Sequence, residues 1–189
     1  SAQTAMSHIA EAMVRWLAPI LSYTAEEIWQ ELPGERSSSV FLSTWYGLPE
    51  ERTESPVNWQ TLLDLRQAVS KELEQLRVAG GIGSPLDAEV RLYCSDALQA
   101  ELAALGDELR FVFITSAASV HPESDRPADA VAAGEEAEPF WLSVAATEAE
   151  KCVRCWHRRD DVGGDSAHPE LCARCVSNVD GPGEIRVYA

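Results

Sequence analysis

Lysine is scarce in this chain of 189 residues: Lys71 and Lys151 stand among 15 basic residues, against 31 acidic ones. The net charge of −16 argues against a general affinity for nucleic acid, because phosphate binding depends mainly on clustered positive charge. No apolar run approaches the ~18 residues that cross a bilayer, and no signal peptide opens the chain. Hydrophobic residues make up 46% of the sequence, which excludes a wholly disordered chain.

The first 58 residues have the pattern of part of a helical bundle. Apolar residues recur at three- and four-residue spacing and form one face of a first helix, which Pro19 breaks. Because aromatic side chains on helical faces are usually buried, we expect Trp16 and Trp29 in the core. This helix opens the chain with no initiator methionine before it, so we expect a fragment of a longer protein. The apolar face consists of Met6, Ile9, Ala10, Met13 and Leu17.

Two further helices are predicted from their end signals. Thr24 and Glu27 form a capping box for a helix that runs to about Leu32. Ser55-Pro56 marks the start of a longer helix that ends at Gly80-Gly81.

Residues 59–120 have the order helix, strand, helix, strand, which predicts a small α+β unit. Residues 89–94 alternate between apolar and polar side chains, as a half-buried strand does. Ser95 is placed to cap a helix through about Leu105, and residues 111–115 have the composition of a second strand.

Residues 121–139 differ from the rest in composition. These 19 residues contain three prolines and six acidic residues, and Val131 is their one large aliphatic side chain. Such a segment buries too little surface to offset its ordering entropy, so we expect an acidic, flexible linker or a long hairpin loop. Residues 141–146 then predict a short strand that opens a C-terminal zinc-knuckle domain over residues 140–189.

Two CxxC pairs stand in the C-terminal region, separated by 16 residues. This spacing is typical of a zinc site in which two tight turns supply four thiolates to one tetrahedral ion. With four thiolates no position is left for water, so we expect one structural Zn²⁺ per chain. Five cysteines make an odd number, which favours a metal site in a reducing compartment over a disulfide framework. The predicted ligands are Cys152, Cys155, Cys172 and Cys175.

Three alternatives share parts of this pattern. Redox-active CxxC pairs are one, and an iron ion on four thiolates is another, since spacing does not separate iron from zinc. In the third, His157 or His168 replaces a cysteine as ligand. The fifth cysteine, Cys94, is expected to be a small buried residue on its strand.

Arginines and one tryptophan surround the two knuckles. Arginine beside an exposed aromatic ring suits phosphate contact and base stacking, which makes this set a candidate nucleic-acid surface. The same arginines can instead neutralise a cluster of four thiolates and Zn²⁺, which carries a charge of −2. The candidates are Arg154, Trp156, Arg158, Arg159 and Arg174.

Three segments carry a resemblance to a known family. Residues 151–189, with KC-x-RCW, CxRCVxNV and a closing GE-x-R-x-x-A, are similar to the zinc finger that ends bacterial isoleucyl-tRNA synthetases. A related finger ends DNA glycosylases of the formamidopyrimidine type. Residues 13–34, MVRWLAPILSYTAEEIWQELPG, resemble the anticodon-binding helical domain of this synthetase class. Residues 105–120 resemble the region that joins that domain to the finger.

This resemblance implies a portion of a cytoplasmic, monomeric ligase that activates isoleucine with ATP and recognises isoleucine-specific tRNA on its anticodon side. The fragment is expected to be inactive alone, because its 189 residues contain neither an H-x-G-H motif nor a KMSKS loop. The catalytic residues are expected in a missing N-terminal part of the same polypeptide. A second function class also fits, namely a zinc-stabilised docking module that packs on the parent enzyme and contacts RNA little.

Overall fold

The chain forms six α-helices and a four-stranded sheet within residues 2–49, 57–135 and 138–188, which the computed structural model describes. These elements belong to two units, Ser1–Glu54 and Ser55–Ala189. The predicted α+β class is confirmed. Among the helices in the described ranges, none combines the length and the apolar character that a membrane span requires.

The first unit contains two helices, α1 (Ala2–Leu17) and α2 (Ser22–Glu31), and a 3-10 turn at Val40–Leu42. Trp29 lies in its core, 2% exposed, and its indole N–H donates to the Ser37 carbonyl oxygen at 2.8 Å. The rest of this small core consists of Val14, Ala18, Ala25 and Val40.

The apolar face of α1 is largely exposed in this unit, and the expectation that Trp16 lies in the core is wrong. Trp16, expected in the core beside Trp29, is 44% exposed. Val14 of the helix and Ala18, which follows its last residue, are buried instead. Periodicity identified the helix but did not show which side chains pack within this unit, since both sides carry apolar residues. The exposed side chains of the predicted face include Met6, Ile9 and Met13.

The capping box predicted for α2 is also absent. The helix begins at Ser22, two residues before Thr24, and no side chain caps it. The turn after α1 determines this start, because the Leu21 carbonyl oxygen already accepts the Ala25 N–H at 2.8 Å. Glu27 therefore falls inside the helix.

The second unit begins with the longest helix, α3 (Trp59–Val78). The Asn58 side chain caps it by accepting the N–H groups of Gln60 and Thr61. The start predicted at Ser55-Pro56 lies outside the described residues.

One mixed sheet, of order β2-β1-β4-β3, packs against α3. The first strand, β1 (Ala88–Cys94), buries Val90, Leu92 and Cys94 as the alternation predicts, although Tyr93 is buried too. It pairs in parallel with β2 (Ala117–Pro122). β4 (Glu138–Ala146) pairs antiparallel with β1 on one side and with β3 (Val131–Glu135) on the other. The core between α3 and the sheet includes Leu62, Leu65, Val69, Val90, Leu92, Phe140 and Leu142.

A helix stands where the second strand was predicted. After α4 (Asp96–Leu102), which Ser95 caps as predicted, residues 109–113 form α5 (Leu109–Phe113). The prediction of a strand over residues 111–115 is wrong, because burial on one helical face outweighs the β-propensity of the aromatic and branched side chains. The buried aliphatic and aromatic side chains of α5 are Leu109, Val112 and Phe113.

The structure also differs from the linker or loop expected over residues 121–139. β2 continues to Pro122, and β3 occupies Val131–Glu135 at the edge of the sheet. A strand is held by backbone hydrogen bonds, which need no large side chains, so composition did not reveal it. Residues 136–137 lie outside the described part of the chain.

Candidate metal centre and the surface beside it

The four predicted cysteine ligands converge on one point. Their Sγ atoms all lie within 4.8 Å of one another, and those of Cys155 and Cys172 are 3.7 Å apart. A tetrahedral zinc site with Zn–S bonds of ~2.3 Å has sulfur–sulfur edges of about 3.8 Å. Four sulfurs at this spacing fit a single structural Zn²⁺ and complete its coordination.

Two short backbone motifs bring the sulfurs together. In the first knuckle, the Trp156 N–H donates to the Cys152 carbonyl oxygen, and the Cys152 N–H donates to that of His157, both at 2.9 Å. In the second, Cys172 immediately precedes α6 (Ala173–Asp180). The two pairs of cysteines are therefore held by a closed turn and by a helix start.

The protein groups around the thiols act on their pKa values in opposite directions. Burial would raise the pKa of Cys152, but backbone N–H groups around its sulfur outweigh that effect and lower it to about 6. Burial raises the pKa of Cys172, and the negative charge of Cys155 adds to that effect. A divalent cation bound among the sulfurs would favour the thiolate at each of them.

Neither candidate histidine joins this group. The Nδ1 atom of His157 lies 3.2 Å from the Cys155 carbonyl oxygen, and its ring meets Phe111 edge-on. Burial, with the positive charge of Arg110, lowers the pKa of His157. His168 forms an ion pair with Asp180, which raises its pKa. Among the described residues, the cluster of possible metal ligands contains cysteines alone.

Two of the candidate arginines bind other parts of the same unit. The Arg158 guanidinium donates to Asp87 Oδ1 at 2.8 Å, and its backbone N–H donates to Ser116 Oγ at 2.6 Å. Arg159 donates to the Ser116 carbonyl oxygen at 3.3 Å and pairs with Asp107 at 3.4 Å. Both side chains therefore hold the first knuckle against the sheet region.

A third candidate, Arg174, is also engaged within the unit. Its guanidinium donates to both carboxylate oxygens of Glu184 and lies 5.0 Å from the centre of the Phe111 ring. Hydrogen bonds from Arg174 lower the pKa of Glu184 to about 2, although burial opposes them. Arg186 adds to this effect and lies over the same ring at 3.8 Å.

The remaining candidates, Arg154 and Trp156, lie on the surface of the first knuckle. Trp156 is 62% exposed, and its backbone has a φ of +66°, a conformation uncommon outside glycine. The Lys151 ammonium lies 5.8 Å from the centre of its ring. Arg154 is exposed, and its Nη1 atom lies 3.6 Å from Cys175 Sγ. The knuckle surface consists of Lys151, Arg154 and Trp156.

No sequence pattern points to the groups that bind these arginines. Asp87 and Ser116 are 71 and 42 positions from their partner Arg158 in the finger. Phe111 is 63 positions from its partner Arg174. Glu184 is the exception, because it belongs to the closing GE-x-R-x-x-A pattern.

Two family profiles match the chain. Residues 1–92 match the anticodon-binding domain of tRNA ligases, and residues 149–178 match the zinc finger found in FPG and IleRS. The finger match includes all four cysteines and all five candidate residues around them.

Curated relatives match over the whole chain. The sequence is 59% identical to the isoleucine–tRNA ligase of Thioalkalivibrio sulfidiphilus, 56% to that of Methylococcus capsulatus and 55% to that of Ectopseudomonas mendocina. Each comparison covers 100% of this chain and 20% of the relative. The chain therefore spans about a fifth of the length of these relatives.

Proposed function

We propose that this chain is the anticodon-side tRNA-recognition portion of a cytoplasmic isoleucine–tRNA ligase. The domain and finger matches support recognition of tRNA, and the names of the relatives support isoleucine. Adenylation of isoleucine with ATP would then belong to the part of the ligase that the relatives have in addition. The zinc ion would have no step in that chemistry, since four thiolates complete its coordination.

One observation carries the proposal: the first zinc knuckle presents Trp156 to solvent, with the Lys151 ammonium near its ring and Arg154 exposed on the same knuckle. An exposed aromatic ring is a platform on which an unpaired base can stack, and anticodon-loop bases are open to such contacts. Lys151 supplies positive charge 5.8 Å from the centre of the ring, and Arg154 adds an exposed positive charge on the same knuckle. This surface is small, so the net charge of −16 should keep the affinity for tRNA modest.

Ion pairs between the arginines and carboxylates of the same unit reduce the set of candidate RNA contacts. Arg158 and Arg174 already bind Asp87 and Glu184, so contact with a phosphate would require them to exchange partners. Arg159 has a weaker pair, at 3.4 Å from Asp107. We therefore assign direct RNA contact to the knuckle surface and a holding role to Arg158, Arg159 and Arg174.

The same pairs favour the second candidate function, a docking module that packs on the rest of the ligase. Under that alternative, Trp156 is covered by protein in the longer polypeptide and RNA contact is minor. The two functions differ in their dependence on salt, because each phosphate contact contributes roughly 0.7–0.9 to the slope of log affinity against log salt concentration.

A titration with isoleucine tRNA at several salt concentrations tests the proposal. Lys151→Met and Arg154→Met should each weaken binding and reduce the slope by about one. Arg174→Met is the control, with the slope expected to stay as in the wild type. A wild-type chain with no measurable binding, or knuckle variants that bind as the wild type does, would favour the docking module.

A further inference from the structure

The first knuckle contacts the sheet region through a compact group of polar atoms. Besides Asp87 Oδ1, the Arg158 guanidinium donates to the Ala149 carbonyl oxygen at 3.3 Å. Two further hydrogen bonds hold Asp87 in place. The Asp87 carbonyl oxygen accepts the Thr147 N–H at 2.9 Å, and the Asp87 carboxylate accepts the Ser84 N–H at 2.9 Å. Asp87 thus joins the knuckle to the start of β1.

Ser116 is the second member of this group and is fully buried. Its hydroxyl donates to the Leu86 carbonyl oxygen at 2.5 Å and accepts the Arg158 backbone N–H at 2.6 Å. Its own N–H donates to the Ala88 carbonyl oxygen at 3.0 Å. One small side chain therefore connects the loop before β1 with the knuckle.

An unusual turn at the end of α5 places Ser116 at this position. Ile114 ends α5 with a φ of +59°, a conformation that is rare for a β-branched residue. The reversal allows the Thr115 N–H to donate to the Arg110 carbonyl oxygen at 2.9 Å, and it buries Thr115 and Ser116. A strained conformation of this kind persists where the surrounding structure stabilises it. Here the turn places Ser116 in contact with the Arg158 N–H.

We propose that Asp87 and Ser116 are positioning residues for RNA recognition, which hold the first knuckle so that Trp156 faces the tRNA. This inference rests on the proposed function, and it adds two residues that lie outside the zinc finger. Arg158 is two residues from Trp156 and connects Asp87 and Ser116 with this part of the knuckle. Asp87 and Ser116 themselves do not contact the RNA.

Asp87→Asn distinguishes this role from a direct phosphate contact by Arg158. Asparagine keeps an oxygen that can accept the Ser84 N–H but loses the charge that binds Arg158. If Arg158 is held for positioning, the variant should bind tRNA about tenfold more weakly with an unchanged salt slope. If Arg158 contacts phosphate, removing the competing carboxylate should strengthen binding. Asp96→Asn, an exposed aspartate at the start of α4, controls for the change in net charge.

Amide hydrogen exchange at Arg158 gives a second readout that does not require RNA. In the zinc-loaded 189-residue chain, Asp87→Asn and Ser116→Ala should both accelerate this exchange while the zinc content stays at one per chain. Asp87→Glu, which keeps the charge, should recover part of the tRNA affinity. Unchanged exchange in both variants, or Asp87→Asn binding as tightly as the wild type or more tightly, would overturn the positioning role. If the wild-type chain binds no tRNA, the proposed function fails, and a role in positioning for RNA fails with it, whereas altered exchange would still identify a structural contact.

Discussion

Glu184 is a single residue whose charge the surrounding protein stabilises. Hydrogen bonds from Arg174 hold its pKa at about 2, below the ordinary value of 4.5. A lowered pKa in the folded state means that the stabilisation is complete above about pH 4.5 and is lost as the pH falls toward about 2. Glu184→Gln should therefore lower the free energy of unfolding by about 1–3 kcal/mol at pH 7 and by less at pH 3.5.

Urea unfolding of the wild type and the variant at both pH values measures this difference. Glu170→Gln, an exposed glutamate of the finger, is the matched control and should change stability by less than about 0.5 kcal/mol. A difference between Glu184→Gln and the wild type that is equal at pH 7 and pH 3.5 would contradict the account.

Residue identity was most informative where local spacing determines chemistry. The two CxxC pairs identify Cys152, Cys155, Cys172 and Cys175 without any knowledge of the fold, because each turn supplies two sulfurs. The arginines gave no such information. Whether Arg158 binds phosphate or protein depends on Asp87, which lies 71 positions away and reaches it only through the fold.

At the scale of elements, Gly80 shows how one residue ends a helix. It follows α3 with a φ of +80°, and its N–H donates to the Arg77 carbonyl oxygen while that of Gly81 donates to Leu76. No atom blocks a Cβ at Gly80, so Gly80→Ala should cost the backbone strain alone, about 1–2 kcal/mol. Gly47→Ala is the control, since Gly47 has open space and no positive φ, and thermal unfolding compares the two. Equal stability of both variants would contradict this explanation of the helix end.

The zinc finger is an element whose core consists largely of its own metal ligands. Its buried cluster contains Cys152, Cys172 and Cys175, with Val162 and Leu171 packed against it. Zinc binding contributes ~10–16 kcal/mol in finger peptides, so chelation or Cys172→Ser should remove amide protection over residues 152–180. β1 should stay protected, because its core partners lie in α3 and β4. Hydrogen exchange with and without chelator measures both, and unchanged protection of residues 152–180 would contradict the role of the metal.

Helices and strands were predictable where a single local signal dominates. The alternation in β1 and the glycines after α3 are signals of this kind, and the strand and the helix end lie where they predict. The prediction failed for α5, where three of the five residues predicted as a strand, residues 111–113, are helical because burial decides their conformation. It failed also for β3, whose small side chains carry no pattern and whose partner strand supplies its hydrogen bonds.

For the molecule as a whole, recognition of tRNA is expected to be separate from adenylation of the amino acid. The 189-residue chain is expected to show no isoleucine-dependent exchange of pyrophosphate into ATP, since neither adenylation motif occurs in it. The same preparation should still bind tRNA. Exchange above the level of a protein-free control would contradict this separation of roles.

If the zinc-held knuckle presents Trp156 to RNA, the affinity for tRNA must depend on that ring, and Trp156→Ala removes it. The variant should lose about 1–3 kcal/mol of binding free energy, the contribution of one stacked base, while its thermal midpoint stays close to that of the wild type. Trp59→Ala, which removes an exposed tryptophan from the start of α3, should change neither quantity appreciably. A lowered midpoint with unchanged tRNA affinity in Trp156→Ala would contradict the account and favour the docking module.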